Sequence, residues 1–241
     1  MNKGTVENKD SFLGMIADKL NRPRITDPVA RPVWKNSPQW EVLRDANQEE
    51  LVEVLKKQCL AIHTQLVETS VSDLKETIRQ ELMNLNASSL VTWKDERFFE
   101  YGLSEFFTKE CPEQDIDSFT WDPTLSREEN VKMTEKADVG ITFSDITLAE
   151  SGTVVLFSGS GKGRSVSLLP TNYIALIPKS SLVPRMTQAA SFIHHEIERG
   201  NDVASCVNFI SGPSNSADIE LNLVVGVHGP VRATYIIIDD K

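Results

Sequence analysis

Helical and strand patterns alternate between residues 48 and 137, and this alternation restricts the chain to few folds. A helical pattern over Gln48–Leu60 is followed by a strand pattern over His63–Glu68. A second helical pattern runs from Ser72 through Leu82, and a strand pattern over Ser88–Trp93 follows it. Strands separated by helices pair in parallel, because each helix carries the chain back across the sheet. We therefore predict an α/β fold with an open, mainly parallel sheet flanked by helices.

The remaining elements follow from the same kind of pattern. We predict a helix over Glu96–Phe107, with Phe98, Phe99 and Phe106 in the core. Ser126 and Glu129 have the spacing of a capping box, which predicts a helix start there. From residue 139 onward, apolar runs predict closely spaced strands, and a helix over Pro184–Arg199 ends before Gly200.

The N-terminal region differs from the rest of the chain. Phe12, Ile16 and Leu20 recur at helical spacing, which predicts a short amphipathic helix. Four prolines between residues 22 and 40 then favour an extended arm that carries Trp34 and Trp40. These tryptophans need an apolar surface, either the chain's own core or another subunit. We predict an N-terminal helix and Pro-rich arm over residues 1–42 and a single α/β domain over residues 43–241.

Charge and cysteine content exclude several classes of function. The 241 residues carry a formal net charge of −10, which argues against nucleic acid and anionic membranes as partners. No apolar stretch is long enough for a transmembrane helix, so we expect no membrane span. Cys59, Cys111 and Cys206 are scattered and form no C-x-x-C motif. The chain alone therefore cannot hold an iron–sulfur cluster or a structural zinc ion on thiolates, and a reducing compartment is favoured.

The segment 209–230 contains the most unusual chemistry of the chain. Two loops of small residues, 211–216 and 226–230, flank an acidic segment and His228. We expect Ser214 or Ser216 to cap a helical turn that carries Asp218 and Glu220. Free backbone N–H groups at such a helix start would suit an anion or a ligand carbonyl. Asp218, Glu220 and His228 are too few ligands for a hard metal ion, and we predict no metal site.

Two further motifs are candidates for chemistry. Glu150 lies in a small-residue turn between two apolar segments, where it could act as a nucleophile or base, or cap the turn, or pair with Arg164. Arg164 could bind a carboxylate or phosphate, or lie free on the surface. The glycine-rich segment Gly159–Gly163 is not a P-loop, because Gly163 rather than Ser or Thr follows Lys162. We interpret it as a mobile hairpin tip.

Several candidates lie at or just after the ends of predicted strands, where open α/β sheets bind ligands. We therefore expect one cleft, with Arg164 supplying positive charge for a small carboxylate. Glu150 and His228 are the predicted catalytic residues, since imidazole can move a proton near neutral pH. The predicted ligand-binding residues are Thr142, Thr153, Arg164, Ser211, Gly212, Ser214, Asp218, Glu220 and Gly229.

Five short motifs resemble the lactate-utilization protein C family, whose shared region is called the LUD domain. They are Gly140-Ile-Thr142, Ala149-Glu-Ser-Gly-Thr153, Arg164 with Ser167-Leu-Leu-Pro170, Ser211-Gly-Pro-Ser214 with Ala217-Asp-Ile-Glu220, and Gly226-Val-His-Gly-Pro230. The resemblance covers the whole chain. The family often has Thr at position 151 and Arg or Lys at position 215, where this chain has Ser and Asn.

The resemblance implies a function and partners. Family members look like one component of a cytoplasmic system that oxidises L-lactate to pyruvate and allows L-lactate to serve as a carbon source. The other two components are cysteine-rich iron–sulfur proteins, so the clusters are expected on those partners and no cofactor in this chain. Independently of the resemblance, the arm that carries Trp34 and Trp40 could dock on a partner protein or on a second copy of this chain, so a homo-oligomer stays open. The implied fold is similar to that of CoA-transferases, ribose-phosphate isomerases and glucosamine-phosphate deaminases.

A second function class stays open at this point. CoA-transferases carry a catalytic Glu in a Glu-Asn-Gly turn, and Glu150-Ser151-Gly152 is similar to that turn. The chain could therefore be a stand-alone transferase or ligase that uses Glu150 on a small carboxylate. Whether the chain is itself an enzyme is left open by the sequence.

Overall fold

Twelve strands and seven α-helices form from the described part of the chain, which comprises residues 6–30, 32–219 and 222–240 of a computed structural model. The strands are Gln65–Ser70 (β1), Ser89–Thr92 (β2), Asp117–Thr120 (β3), Val139–Phe143 (β4), Ile146–Leu148 (β5), Thr153–Phe157 (β6), Asn172–Pro178 (β7), Leu182–Val183 (β8), Val207–Ser211 (β9), Asn215–Ile219 (β10), Asn222–Val225 (β11) and Arg232–Asp239 (β12). The helices are Lys9–Lys19 (α1), Gln48–Ala61 (α2), Leu74–Asn84 (α3), Arg97–Glu100 (α4), Cys111–Glu113 (α5), Arg127–Thr134 (α6) and Met186–Glu198 (α7).

The central sheet has six strands in the spatial order β1-β12-β7-β4-β2-β3, and all of its pairs are parallel. Every residue of β4 and β7 is buried. Continuous apolar strands of this kind occur where helices or loops cover both faces of a parallel sheet. The predicted α/β fold with a mainly parallel sheet is confirmed.

A smaller sheet of four strands, in the order β8-β5-β6-β9, lies beside the main one. Its β5–β6 and β6–β9 pairs are antiparallel, whereas β5 and β8 are parallel. Strands β10 and β11 form a separate antiparallel hairpin. The helical turn predicted over Asp218 and Glu220 is therefore wrong for Asp218, which lies on β10, because cross-strand pairing outweighs the capping preference of the preceding serines. Glu220 lies outside the described residues.

Elsewhere in the chain, the helices agree with the sequence pattern except over residues 96–107. The predicted capping box at Ser126 is confirmed: its hydroxyl accepts from the backbone N–H of Glu129, and the carboxylate of Glu129 accepts from the backbone N–H of Ser126. The single helix predicted over residues 96–107 is wrong. Helix α4 ends at Glu100, Gly102 follows with a φ of 69°, and Phe106–Glu110 is a π-helical turn. Phe99, predicted in the core, is 79% exposed as a result.

The chain divides into two compact units, Met1–Pro38 and Gln39–Lys241. In the first unit, α1 confirms the predicted helix, but Phe12 and Ile16 of its apolar face are exposed and Leu20 follows its end. Arg24 pairs with Asp10 on this helix. Trp34 is 74% exposed. That residues 1–42 act as a separate arm stays a prediction. Among the described helices, none combines the length and apolar content that crossing a membrane requires.

Candidate functional site

The connections that leave β2 and β4 diverge, although these two strands are neighbours in the central sheet. The chain runs from β2 to β3 on one side, and from β4 it reaches β7 on the other side. Such a divergence opens a crevice at the carboxyl ends of the two strands, where α/β proteins bind ligands. Asp95 follows β2 by three residues and Asp145 follows β4 by two. These two carboxylates therefore lie at the topological switch point of the sheet.

Two cations neutralise this carboxylate pair. The guanidinium of Arg97 donates to Asp95 from Nε at 3.0 Å and to Asp145 from Nη2 at 2.8 Å. The ammonium group of Lys162 lies 2.9 Å from Asp95 Oδ2 and 3.5 Å from Asp145 Oδ1. Arg97 also donates to the backbone oxygen of Ser144 at 3.0 Å. The four charged side chains thus join the loops after β2 and β4 to the glycine-rich turn.

Burial and charge act in opposite directions on Asp95, whose side chain is only 5% exposed. Burial alone would raise its pKa, but hydrogen bonds and attraction from Arg97 and Lys162 outweigh it and hold the pKa well below its usual range. The carboxylate is therefore ionised throughout the physiological range. Asp95 thus acts as a fixed negative charge that holds Arg97 and Lys162, and through them the adjoining loops, in place.

A cavity of about 530 Å³ opens beside the network at the ends of β2 and β3. Its volume is typical of small-molecule sites. The π-helical turn contributes Phe107 and Thr108 to the lining, and such turns are frequent at functional sites. Lys94 at the rim is exposed and forms no ion pair within 4 Å among the described residues, although Asp122 attracts it at longer range. It is the one cation in this lining. We call this cavity the switch-point cleft.

The glycine-rich turn closes one side of the switch-point cleft. Gly159 and Lys162 form an isolated antiparallel bridge, and the backbone oxygen of Gly161 accepts from Lys94 N at 2.9 Å. A Cβ atom on Gly161 would lie 2.8 Å from the backbone oxygen of Lys94. The indole N–H of Trp93 donates to the oxygen of Gly163 at 2.9 Å. The predicted hairpin tip is present, but its contacts tie it to the site.

Glu150 lies in the turn between β5 and β6, as predicted. Its carboxylate Oε2 is 2.8 Å from Nε of Arg185, which precedes α7, and not beside Arg164. The backbone N–H of Glu150 donates to the backbone oxygen of Pro184 at 3.0 Å. The side chain is half-buried, and a strong ion pair holds it in place. A catalytic role for Glu150 stays a prediction.

Three of the predicted ligand-binding residues do meet in the structure. Thr153 Oγ1 lies 2.6 Å from Ser211 Oγ, and the next residue, Gly212, donates its N–H to Tyr235 Oη at 3.0 Å. The same phenol donates to Gly152 O at 3.0 Å. Sequence reasoning missed Tyr235, which lies within an apolar strand and carries no local signal.

A second group forms at the base of the β10–β11 hairpin. Ser214 Oγ accepts from His228 N at 3.3 Å, and Ser214 N donates to Pro230 O at 2.8 Å. Gly229 packs closely against Ser214, since a Cβ on Gly229 would lie 3.2 Å from the Cβ of Ser214. The His228 side chain is exposed. The structure thus brings Ser214, His228 and Gly229 together.

Within the described residues, Thr142 and Arg164 share no hydrogen bond with either group. Thr142 is fully buried within β4, and its hydroxyl is 2.7 Å from the Tyr173 hydroxyl. It is therefore a core residue whose hydroxyl is already bonded. Arg164 is exposed at the start of a 3₁₀ turn, and its guanidinium has one polar contact, Cys206 Sγ at 3.7 Å.

The prediction of one cleft outside the carboxyl ends of strands is wrong for most of these residues. Gly152 and Gly212 lie against Ile62, which precedes β1. Pro230 and Val231 precede β12, and Val231 N donates to Thr171 O directly before β7. Both groups thus lie where the strands of the central sheet begin. The strands that these residues follow, β5, β9 and β11, belong to other sheets, which sequence patterns do not distinguish.

The switch-point residues Asp95, Arg97 and Asp145 were missed from the sequence, although a signal was present. Asp95 and Asp145 each come shortly after a short apolar run that ends in Trp93 or Phe143. Polar residues directly after buried strands are the expected signature of a carboxyl-edge site. The sequence does not show that β2 and β4 are neighbours in the sheet, and without that fact the two carboxylates cannot be placed together.

Cys59 and Cys111 are buried thiols, whereas Cys206 is half-buried and contacts Arg164. Burial raises the pKa of Cys59 to about 12 and that of Cys111 to about 11, the latter against a small opposing effect of Arg79. Thiols are metal ligands only as thiolates, so these two are poorly suited to bind a cluster. Within residues 6–30, 32–219 and 222–240, no three His, Cys, Asp or Glu residues form a group that could hold a metal ion.

Comparison with known proteins identifies the family. The family model described as LUD domain matches residues 52–238. The chain belongs to the LUD domain family. It is similar over its whole length to two proteins named Lactate utilization protein C, with 55% identity to that of Geobacillus sp. (strain WCH70) and 52% to that of Bacillus subtilis (strain 168). In both comparisons the match covers 100% of each chain.

A solved structure supports the fold of this LUD domain independently. The crystal structure of a DUF162 family protein from Deinococcus radiodurans superposes with a TM-score of 0.56 at 18% sequence identity. The match covers 80% of this chain and 99% of that one. At this identity the likeness concerns the fold alone.

Proposed function

We propose that this chain is the cluster-free component of a system that oxidises L-lactate to pyruvate. One observation carries the proposal: relatives named Lactate utilization protein C match this chain from end to end at about half identity. Sequences this similar over their full length share a fold and, in most cases, a role. The proposed system uses L-lactate as a carbon source in the cytoplasm.

The proposal places the redox centres on partners. Oxidation of lactate to pyruvate releases two electrons, which need an acceptor. Two of the three cysteines here are buried thiols with a raised pKa, a poor basis for cluster ligands. Two cysteine-rich iron–sulfur proteins of the same system would receive the electrons, and this chain would bind substrate or organise the complex.

A catalytic role for this chain alone has less structural support. The alternative, a CoA-transferase-like or ligase-like reaction at Glu150, needs a carboxylate that can attack a substrate. The 2.8 Å ion pair with Arg185 occupies one of the two carboxylate oxygens of Glu150. Turnover of an acyl-CoA by the purified chain would favour this alternative over the proposed one.

Gene deletion tests the proposal. We expect a strain that lacks this chain to lose growth on L-lactate and to keep growth on pyruvate, because only the oxidation step is missing. A tagged chain should co-purify from the cytosolic fraction with two iron-containing proteins. Growth of the deletion strain on L-lactate at the parental rate would contradict the proposal.

A further inference from the structure

A second cleft, of about 500 Å³, is lined by residues of the glycine-rich turn other than those that line the switch-point cleft. We call it the arginine cleft and define it by Trp121, Arg127, Val131, Arg164, Ser165 and Leu169, which line it. Arg127 and Val131 are four residues apart on α6 and share one face of that helix. Arg164 and Ser165 belong to the 3₁₀ turn that follows the glycine-rich segment. All of these residues belong to the unit that begins at Gln39.

The charges that line the arginine cleft are all positive, although the chain has a net charge of −10. The lining contains Arg127, Lys162 and Arg164 and no carboxylate. Asp95 and Asp145 neutralise Lys162. The guanidinium groups of Arg127 and Arg164 differ from Lys162 in having no such partner. No acidic side chain in the described part of the chain lies within ion-pair distance of either one.

Unpaired arginines are the exception in this unit. The other arginines of the unit, apart from Arg232, each pair with a carboxylate at 3.6 Å or less; they are Arg44, Arg79, Arg97, Arg185 and Arg199. Two of the three unpaired arginines thus line one cleft. Guanidinium groups that line a cavity without a carboxylate are typical of sites for anionic ligands.

A third donor lies in the same place. The hydroxyl of Ser165 is buried and has no hydrogen-bond partner among the described residues. Buried polar groups are nearly always bonded. This oxygen has almost no accessible surface although its residue lines the cleft, so it would reach a ligand by rotation of the side chain. A carboxylate is satisfied by a single bidentate guanidinium, whereas a phosphate has three terminal oxygens. Two guanidinium groups and a hydroxyl therefore match a phosphate better.

The rest of the lining is aromatic and apolar. Trp121 is half-buried, and Gly163 packs against its ring: a Cβ on Gly163 would lie 2.4 Å from Trp121 Cη2. Leu169 and Val131 add apolar surface. Indole rings bind flat ring systems by stacking. The cleft is also far larger than lactate needs, since volumes of this size hold drug-sized ligands.

We propose that the arginine cleft binds a phosphorylated aromatic compound of mononucleotide size. Arg127 and Arg164 would hold the phosphate, the Ser165 hydroxyl would donate to it, and the ring would lie against Trp121 and the apolar wall. The inference goes beyond the proposed function and does not depend on it, because it rests on the charges and the lining of the cleft.

Titration of the purified full-length protein tests the proposal. AMP and flavin mononucleotide are the probes, each compared with its dephosphorylated form, adenosine or riboflavin, by calorimetry and by quenching of tryptophan fluorescence. We expect saturable binding of at least one phosphorylated probe and at least tenfold weaker binding of its dephosphorylated form. Inorganic phosphate should compete with the phosphorylated probe.

Matched variants locate the site. Arg127→Ala and Arg164→Ala should each weaken binding about ten- to hundredfold, since each removes a charge-assisted hydrogen-bonded pair. Ser165→Ala should weaken it about three- to tenfold through loss of one hydrogen bond. Arg232→Ala removes an exposed, unpaired arginine outside the cleft and should leave binding unchanged. Thermal melts establish that each variant is folded. Arg164→Lys keeps the charge but loses the planar fork, so its binding affinity should lie between that of Arg164→Ala and that of the parent protein.

Three outcomes would overturn the proposal. The first is that neither phosphorylated probe binds saturably. The second is that binding is unaffected by both cleft substitutions, or is weakened equally by Arg232→Ala. The third is that L-lactate, and neither phosphorylated probe, binds in a manner that needs Arg127 and Arg164, which would make the cleft a small-carboxylate site.

Discussion

The ammonium group of Lys162 lies 2.9 Å from the carboxylate of Asp95, and this contact ties the glycine-rich turn to the loop after β2. The two residues are 67 positions apart in the chain, from 95 to 162. Residues of the turn line both clefts: Ser160 and Gly161 line the switch-point cleft, and Gly159 and Gly163 line the arginine cleft. One ion pair therefore positions a wall that both cavities share.

The ion pairs of Asp95 predict a loss of stability in acid. The folded protein holds the pKa of Asp95 below its usual value of about 4, so the unfolded chain binds the proton more readily. The stabilisation is fully present above about pH 4 and is lost as the pH falls toward the folded pKa. Asp95→Asn should lower the free energy of unfolding at pH 7 by about 3 kcal/mol and reduce its dependence on acid. Urea unfolding at several pH values measures the free energy of unfolding and its dependence on pH. The control is Asp202→Asn, at an exposed position with no ion pair among the described residues, which should change neither quantity.

Gly140 is predicted to tolerate no side chain. A Cβ atom there would lie 1.9 Å from the backbone oxygen of Val166, so β4 and the 3₁₀ turn Arg164–Ser167 would have to separate. Gly140→Ala should destabilise the protein by about 1–3 kcal/mol, the usual cost of overpacking. Gly159→Ala serves as the control, because its nearest neighbour would be 4.0 Å away. Equal melting temperatures for the two variants would contradict this packing.

Tyr235 is predicted to stabilise the turns after β5 and β9 through its hydroxyl. Tyr235→Phe leaves Gly212 N and Gly152 O without their buried partner, which should cost about 1–3 kcal/mol. Tyr101→Phe is the matched control, because the Tyr101 hydroxyl makes no hydrogen bond within the described residues. Chemical denaturation compares them, and an equally small effect of both substitutions would show that the Tyr235 hydrogen bonds contribute little.

Arg164→Ala and His228→Ala are predicted to abolish growth on L-lactate and to leave the fold intact. Both side chains are exposed, so their removal creates no cavity. Growth of complemented deletion strains is the measurement, and thermal melts of the purified variants separate loss of function from loss of fold. His194→Ala, on the exposed face of α7, should complement fully. Complementation by both variants would place the function on another surface.

The N-terminal arm is predicted to contact another protein chain. Trp34 is largely exposed, and an exposed indole in a proline-rich segment is typical of an interaction element. Removal of residues 1–42, or Trp34→Ser in the full chain, should change the oligomeric state or the assembly with partners. Light scattering measures the oligomeric state, and co-purification measures the assembly with partners. An unchanged mass together with unchanged co-purification would refute the prediction.

The sequence by itself determined the elements that depend on neighbouring residues. The capping box at Ser126 and the alternation of helices and strands are local properties, and both were predictable. The α/β class followed from that alternation, and the family resemblance followed from short motifs. The hairpin over Asp218 was not predictable, since its strand is stabilised by pairing with a second strand and not by its own residues.

The tertiary structure alone decided which residues meet. Asp95 and Asp145 come together because β2 and β4 are neighbours in the sheet, a fact that depends on strand order and leaves no trace in either loop. Glu150 pairs with Arg185 because β5 runs beside β8, and not with Arg164, which is closer in sequence. Strand order arises from the packing of the whole core. The position of a polar residue after a strand therefore predicts that the residue lies at an edge of a sheet, but not which other side chain it contacts there.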